Sequence, residues 1–173
     1  MQTKKLAVFD FDGTLFLTDG ALLKAALRVT GRPLTREEVW ALPHPLSYAV
    51  RFATEQDTLT PEPNKNTIDR LNERAREGYK VVILTGRSQE AAEQTLEIAR
   101  KNGLRYNEAY FHPGTLQPTF KEFKAQKLGE LAEGYDLVEV YEDREHVINH
   151  YKAIFGPDKF IYFLVKDGKL LRV

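Results

Sequence analysis

Two carboxylates stand two residues apart in Asp10-Phe11-Asp12-Gly13, directly after the apolar run Leu6-Ala-Val-Phe9. Such a run ending in polar residues reads as a buried strand feeding a tight turn, and Gly13 accepts the backbone angles that turn needs. A carboxylate held there can attack phosphorus. A second, two residues on, can protonate the departing oxygen and later activate a water. Glu142 and Asp143 add two more acids after the run Asp136-Leu-Val-Glu-Val-Tyr141. Clustered acids repel unless a cation shares them, and an all-oxygen donor set suits Mg²⁺. Thr85-Gly86-Arg87 closes a third run, Lys80-Val-Val-Ile-Leu84. There the Thr85 hydroxyl and the following amides, Gly86 onward, can hold phosphate oxygens at a helix start. Lys124 can supply the positive charge that lets a dianionic ester approach the acids, with Lys121 and Lys127 competing for that place.

These residues act together only if the elements before them converge. Weaker strands are expected at residues 109–111 and 160–165, the last folding back through Asp167-Gly168 as a terminal hairpin. Helical faces separate the strands: Ile68, Leu71 and Ala75; Ala91, Ala92, Leu96 and Ala99 after Ser88 as N-cap; and Val147, Ile148, Tyr151 and Phe155. This alternation predicts a doubly wound, mostly parallel, Rossmann-like α/β sheet with ligands at its carboxyl edge. Residues 17–62 break the pattern. They hold a helix from about Asp19, a capping box at Thr35-x-x-Glu38, a Pro43-His44-Pro45 break and another helix around residues 47–54. The expected division is a core of residues 1–16 and 63–173 with a small helical cap, 17–62, over the strand ends.

Bulk composition narrows the partners. Lys plus Arg (25) equals Asp plus Glu (25), so no global field draws the chain to polyanions. The absence of cysteine excludes disulfides, thiolate metal sites and thiol nucleophiles, and fits a cytoplasmic setting. No signal peptide, membrane span or obligate protein partner is expected from the pattern.

The four elements, in order, resemble the haloacid dehalogenase-like (HAD) phosphatase superfamily. Phe9-Asp10-Phe11-Asp12-Gly13-Thr14-Leu15 resembles its first motif, Leu84-Thr85-Gly86-Arg87 its second, Lys124 its third, and Tyr141-Glu142-Asp143-Arg144 its fourth. The resemblance implies Asp10 as nucleophile, Asp12 as acid and base, and Thr85 and Lys124 as phosphate ligands. Magnesium would sit on Asp10, the Asp12 main-chain carbonyl and Asp143. Glu142, where many members have Asp, would be a ligand or act through a water. A narrower likeness joins Leu-Thr-Gly-Arg, Thr119-Phe-Lys-Glu-Phe-Lys124 and Tyr-Glu-Asp-Arg-Glu-His-Val-Ile to two branches. These are the phosphatase half of phage-type polynucleotide kinase/phosphatases and HAD domains linked with RNA repair. It implies a nucleotide or nucleic-acid-end substrate, with Arg87 and Arg144 near it.

Other readings compete. Arg144 and Arg87 can instead brace motif carboxylates. His44, His112, His146 and His150 lack metal-ligand spacing and read as satisfied or solvated. Trp40 reads as cap core, with base stacking as the alternative. A sugar or metabolite phosphatase, a phosphotransferase and a catalytically idle phosphate-binding module share the same constellation.

Overall fold

The computed structural model describes residues 3–58 and 60–173. In chain order the elements are β1 (Lys5–Phe9), β2 (Phe16–Leu17), α1 (Asp19–Thr30), α2 (Arg36–Trp40), α3 (Leu46–Asp57), β3 (Glu62–Pro63), α4 (Lys65–Arg76), β4 (Lys80–Ser88), α5 (Ala92–Lys101), β5 (Glu108–His112), α6 (Phe120–Ala132), β6 (Leu137–Glu142), α7 (Glu145–Phe155), β7 (Ile161–Lys166) and β8 (Lys169–Arg172).

Strand alternation sends Leu6 and Val8 to one face of β1 and Ala7 and Phe9 to the other, and all four are buried. A strand apolar on both faces needs cover on both, which is the arrangement of a parallel α/β sheet. The sheet runs β5-β4-β1-β6-β7-β8, parallel except for β8. Ile68 and Leu71 of α4 and Ile98 and Ala99 of α5 cover the Phe9 face. Ala125 and Leu128 of α6, with Val147, Ile148 and Tyr151 of α7, cover the Val8 face. Leu71 and Leu128 are fully buried; truncating either to Ala costs about 2–5 kcal/mol. The expected terminal hairpin forms, and both turn residues, Asp167 and Gly168, take positive φ (49° and 71°) as a two-residue turn requires.

Two local expectations are corrected. The third apolar run does not stop at Leu84: β4 continues through Thr85, Gly86 and Arg87 to Ser88. Its pairing with β5 resumes at Ser88 opposite His112 after a register shift, so the motif lies on an irregular strand end rather than at a helix start. Ser88 makes no cap hydrogen bond, and a 3₁₀ turn at Gln89–Ala91 precedes α5. Its hydroxyl goes instead to Glu55, as described below.

Helices α1–α3 lie between β2 and β3, which pair antiparallel with Phe16 opposite Pro63 and Leu17 opposite Glu62. These helices enclose a core of their own, Ala25, Ala26, Leu34, Val39 and Val50. Thr35 and Glu38 form the expected capping box at the start of α2. Among the described residues, no helix is long and apolar enough to cross a membrane.

Candidate active site

Parallel pairing sets the floor of the site. Phe9 lies opposite Tyr141 on one side and Ile83 on the other, so the residues that follow each strand emerge along one carboxyl edge. Asp10, Glu142 and Asp143 meet there, all buried, with one oxygen of each within 4.8 Å of the others. Gly13 permits this closeness. Its φ is +78°, and a Cβ on it would stand 2.6 Å from Cγ of Asp143. Of the three competing lysines, Lys124 reaches the acids. Its Nζ donates to Oδ1 of Asp10 at 2.5 Å and to Oε2 of Glu142 at 2.7 Å. Lys127 pairs outward with Glu130, and Lys121 is exposed. A second capping box, Thr119 with Glu122, fixes the start of α6 and so the position of Lys124.

Burial sets the electrostatics of this floor. Burial and the neighbouring Glu142 charge push the Asp10 carboxyl up, and push Asp143 up further. Burial opposes ionisation of Glu142 as well, but Lys124 and Arg144 outweigh it and hold Glu142 well below the usual carboxylate range. Oδ2 of Asp10 and Oδ1 of Asp143 are buried without a hydrogen-bond partner. Two orphaned oxygens on carboxyls raised by burial and by the Glu142 charge, among hard oxygen donors, fit a small divalent cation such as Mg²⁺.

Asp12 faces a different neighbourhood. Arg87 clamps it with Nε to Oδ2 at 2.9 Å and Nη2 to Oδ1 at 2.8 Å. Burial alone would raise Asp12, but the Arg87 charge and its hydrogen bonds outweigh it, bringing the carboxyl down to about 2. Arg87 is wholly buried, stacks over Phe11 at 4.6 Å and donates to Thr58 at 2.8 Å. The expectation of Arg87 at the substrate is therefore corrected. Its guanidinium is consumed by protein partners, as the bracing alternative held. Thr85 is buried beside it and accepts from the Arg87 amide at 3.1 Å. Arg144 also braces an acid, with Nε 3.2 Å from Oε1 of Glu142, yet it lines the cavity too.

A cavity of about 410 Å³ lies between the strand ends and α1–α3. Asp12, Lys124, Asp143 and Arg144 line its core side, and Leu22, Trp40, Leu42, Val50 and Arg51 its other side. Sequence reasoning missed three residues here. Arg36 of α2 pairs with Asp143 and, at 3.0 Å, with Asp19, while its guanidinium lies 4.4 Å from the Trp40 ring. Arg51 of α3 donates through Nε to the Gly86 carbonyl at 2.9 Å. Glu55 accepts from both the amide and the hydroxyl of Ser88 at 2.8 Å. Arg51 and Glu55 stand one helical turn apart, which resembles a surface ion pair in sequence; only the buried neighbours Val50 and Thr54 hint at an inward face. His112 is satisfied as expected, by the Pro118 carbonyl at 2.7 Å and the Gly114 amide at 3.1 Å. His146 packs on Trp40, and burial together with Arg144 pushes it down to about 4.

No family model matches the sequence and no curated protein matches it. Solved structures do match the fold. A chain of the Pnkp1/Rnl/Hen1 complex is 20% identical with a TM-score of 0.63, over 95% of this chain and 47% of that one. The present chain thus spans about half the length of that relative. A HAD hydrolase of family IA from Entamoeba histolytica is 14% identical, TM-score 0.58, over 91% and 82% of the two chains. A phospho-aspartyl intermediate analogue of phosphoserine phosphatase is 19% identical, TM-score 0.57, over 93% and 86%. The chain has the α/β fold of HAD phosphatases.

Proposed function

We propose that the chain is a magnesium-dependent phosphomonoester hydrolase that works through an aspartyl-phosphate on Asp10. The observation that carries this reading is the Asp10 carboxylate. One oxygen is held by Lys124 at 2.5 Å, and the other is buried and unpartnered beside Glu142 and Asp143. In this reading residues 17–62 form the cap over a core of residues 1–16 and 63–173.

Magnesium would be held by Asp10, Asp143, the Asp12 main-chain carbonyl and, directly or through a water, Glu142; when bound it neutralises the acids and the phosphate oxygens. One carboxylate oxygen of Asp10 attacks phosphorus as the bond to the leaving oxygen breaks, and its other oxygen is the one that would hold the cation. Lys124 and the Thr85 hydroxyl face the phosphate oxygens. Asp12 gives a proton to the leaving oxygen, then takes one from the water that cleaves the acyl phosphate and releases inorganic phosphate. As clamped by Arg87, Asp12 is ionised. Acting as the acid therefore requires it to release Arg87 and take up a proton within the cavity that it already lines.

The substrate is a nucleotide or a phosphorylated nucleic-acid end, a class supported by the likeness of the fold to a chain of the Pnkp1/Rnl/Hen1 RNA repair complex. The bounded cavity of about 410 Å³ favours the smaller of the two. Phosphate release, with magnesium and with chelator, tests the whole reading. The panel holds mononucleotides, sugar phosphates, p-nitrophenyl phosphate and oligonucleotides phosphorylated at the 3′ or 5′ end. Magnesium-dependent release from esters is the expected result. Folded protein that binds these esters yet releases no phosphate from any of them overturns the reading in favour of an idle binding module.

A further inference from the structure

The cations in and around the cavity divide into those already committed and those left over. Lys124 is taken by Asp10 and Glu142, Arg36 by Asp143 and Asp19, and Arg87 by Asp12. Arg51 is different. Its Nε is tied to the Gly86 carbonyl and its guanidinium lies 4.7 Å from the Phe120 ring, so the group is held in place. Its Nη2, however, is buried without a hydrogen-bond partner. The nearest acid oxygen, Oδ2 of Asp12, is 3.9 Å away and already accepts from Arg87. Arg144 lines the same cavity from the opposite wall, and its charge, after burial, pushes the Arg51 guanidinium down. Lys121 lines the cavity as well and enters no ion pair among the described residues.

A positioned guanidinium with an unused donor, facing another arginine across a cavity, is electrostatically incomplete. Burying a cation without its full set of hydrogen bonds is unfavourable, and an anion placed beside Arg51 would relieve it, whereas Arg144 is already paired with Glu142. Arg51 reaches Gly86, so this place lies beside the reacting floor rather than in it. Apolar side chains, among them Leu42, Val50, Trp40 and Phe120, line the same cavity.

We propose that Arg51 receives a second anionic group carried on the leaving part of the substrate, so that preferred esters bear two anions joined by a compact, partly apolar body. This rests on the phosphomonoesterase reading above and narrows its substrate class. A nucleoside bisphosphate carries the second anion as a phosphate. A phosphorylated nucleic-acid end carries it as the adjacent phosphodiester. The chemistry that Arg51 would recognise is shared.

The test pairs esters with and without the second anion, assayed with magnesium. Adenosine 3′,5′-bisphosphate is compared with adenosine 3′-monophosphate and 5′-monophosphate. A 3′-phosphorylated dinucleotide is compared with adenosine 3′-monophosphate, and fructose 1,6-bisphosphate with fructose 1-phosphate. At least one doubly anionic member should exceed its partner in kcat/KM by about tenfold or more, chiefly through KM, as one charge-assisted contact provides. Which pair shows the effect distinguishes the small bisphosphate from the polymer end. In Arg51→Met, which keeps an unbranched stem but loses the guanidinium, that ratio should fall to within about threefold, and Arg51→Lys should restore part of it. Equal kcat/KM within every wild-type pair overturns the proposal without recourse to a variant. An unchanged ratio in a folded Arg51→Met protein overturns it too. The p-nitrophenyl phosphate ester has no second anion, so its turnover judges the phosphomonoesterase reading separately. Were it and every other ester inert, calorimetric binding of adenosine 3′,5′-bisphosphate against the 3′-monophosphate would still decide whether the second anion is recognised: tighter binding that disappears in Arg51→Met supports it, and equal binding overturns it.

Discussion

The floor at the strand ends and the inner face of α3 press against each other, yet they are built on opposite principles. On the floor, Asp10, Glu142 and Asp143 are crowded beyond what their protein partners satisfy, leaving two carboxylate oxygens orphaned. On α3, contacts to three consecutive residues of β4 are closed: Arg51 to Gly86, Thr58 beyond the helix end to Arg87, and Glu55 to Ser88. Only the outer edge of Arg51 is left unfilled. The floor stores repulsion for chemistry; α3 uses buried polar pairs to fix where the insertion sits. Variants in the first region should therefore change rates more than stability, and variants in the second the reverse.

The largest separation is expected at Asp10→Asn. Loss of the proposed nucleophile should lower phosphate release by roughly 10⁴–10⁶-fold, the scale seen when a covalent catalyst is removed. Stability should move the other way. The Asp10 carboxyl is pushed up on folding, so carrying its charge costs stability relative to the unfolded chain, and a neutral isostere removes that cost. Thermal melts in chelator should place Asp10→Asn level with wild type or above it. A variant that is clearly less stable would mean the Lys124 contact outweighs the crowding.

Magnesium comes next. Saturation at about a hundred times its Kd adds about 2.7 kcal/mol, a rise in melting temperature of about 5–10 °C for a chain this size. Asp143→Asn should abolish the rise. Asp10 and Asp143 are both raised, so protons compete with the cation, and the magnesium-induced rise should shrink as pH falls towards the carboxylate range. A rise independent of pH would remove these two acids from the ligand set.

What was legible in the sequence follows the same division. Each floor residue ends an apolar run, and period-two burial plus parallel pairing leaves little freedom in where Asp10, Thr85 and Glu142 go. Lys124 was harder, because Lys121 and Lys127 share its helix and only the docking of α6 chooses among them. The insertion carried cap signals, such as Thr35 with Glu38, that gave its helices but not their contacts. Arg36 and Arg51 resemble surface residues until α2 and α3 dock on the core. Arg87 misled for a related reason: extension of β4 past Leu84 turns it under the site, against Phe11, instead of into the cavity.

Glu55→Gln probes the α3 side directly. It keeps the shape but replaces a buried carboxylate that accepts from both donors of Ser88, a change of about 1.5–3 kcal/mol. The melting temperature should fall by about 3–12 °C. Turnover of p-nitrophenyl phosphate, measured below the melt, should fall by less than about tenfold, since the group touches no reacting atom. A loss of rate as deep as that of Asp10→Asn, with the melt unchanged, would place Glu55 in the chemistry and erase the contrast.

The smallest effects come from a motif the two regions share. Thr35 and Thr119 each close a capping box, one starting α2, which carries Arg36, the other α6, which carries Lys124. Each Thr→Ala change costs about 1 kcal/mol, or a melting shift of about 2–4 °C. The stability cost should be alike because the local chemistry is alike. The kinetic cost should differ because the helices deliver different groups. Loosening the start of α6 lets Lys124 drift from Asp10, 2.5 Å away, and should lower kcat. Loosening α2 frees Arg36, which pairs with Asp143 but touches neither Asp10 nor Lys124, and should be felt in KM or magnesium affinity more than in kcat. Matched melts with split kinetics would show that position relative to Asp10, not helix stability, separates the two regions. Identical kinetics in both variants would show that α6 is held by its buried face, Ala125 and Leu128, with its cap redundant.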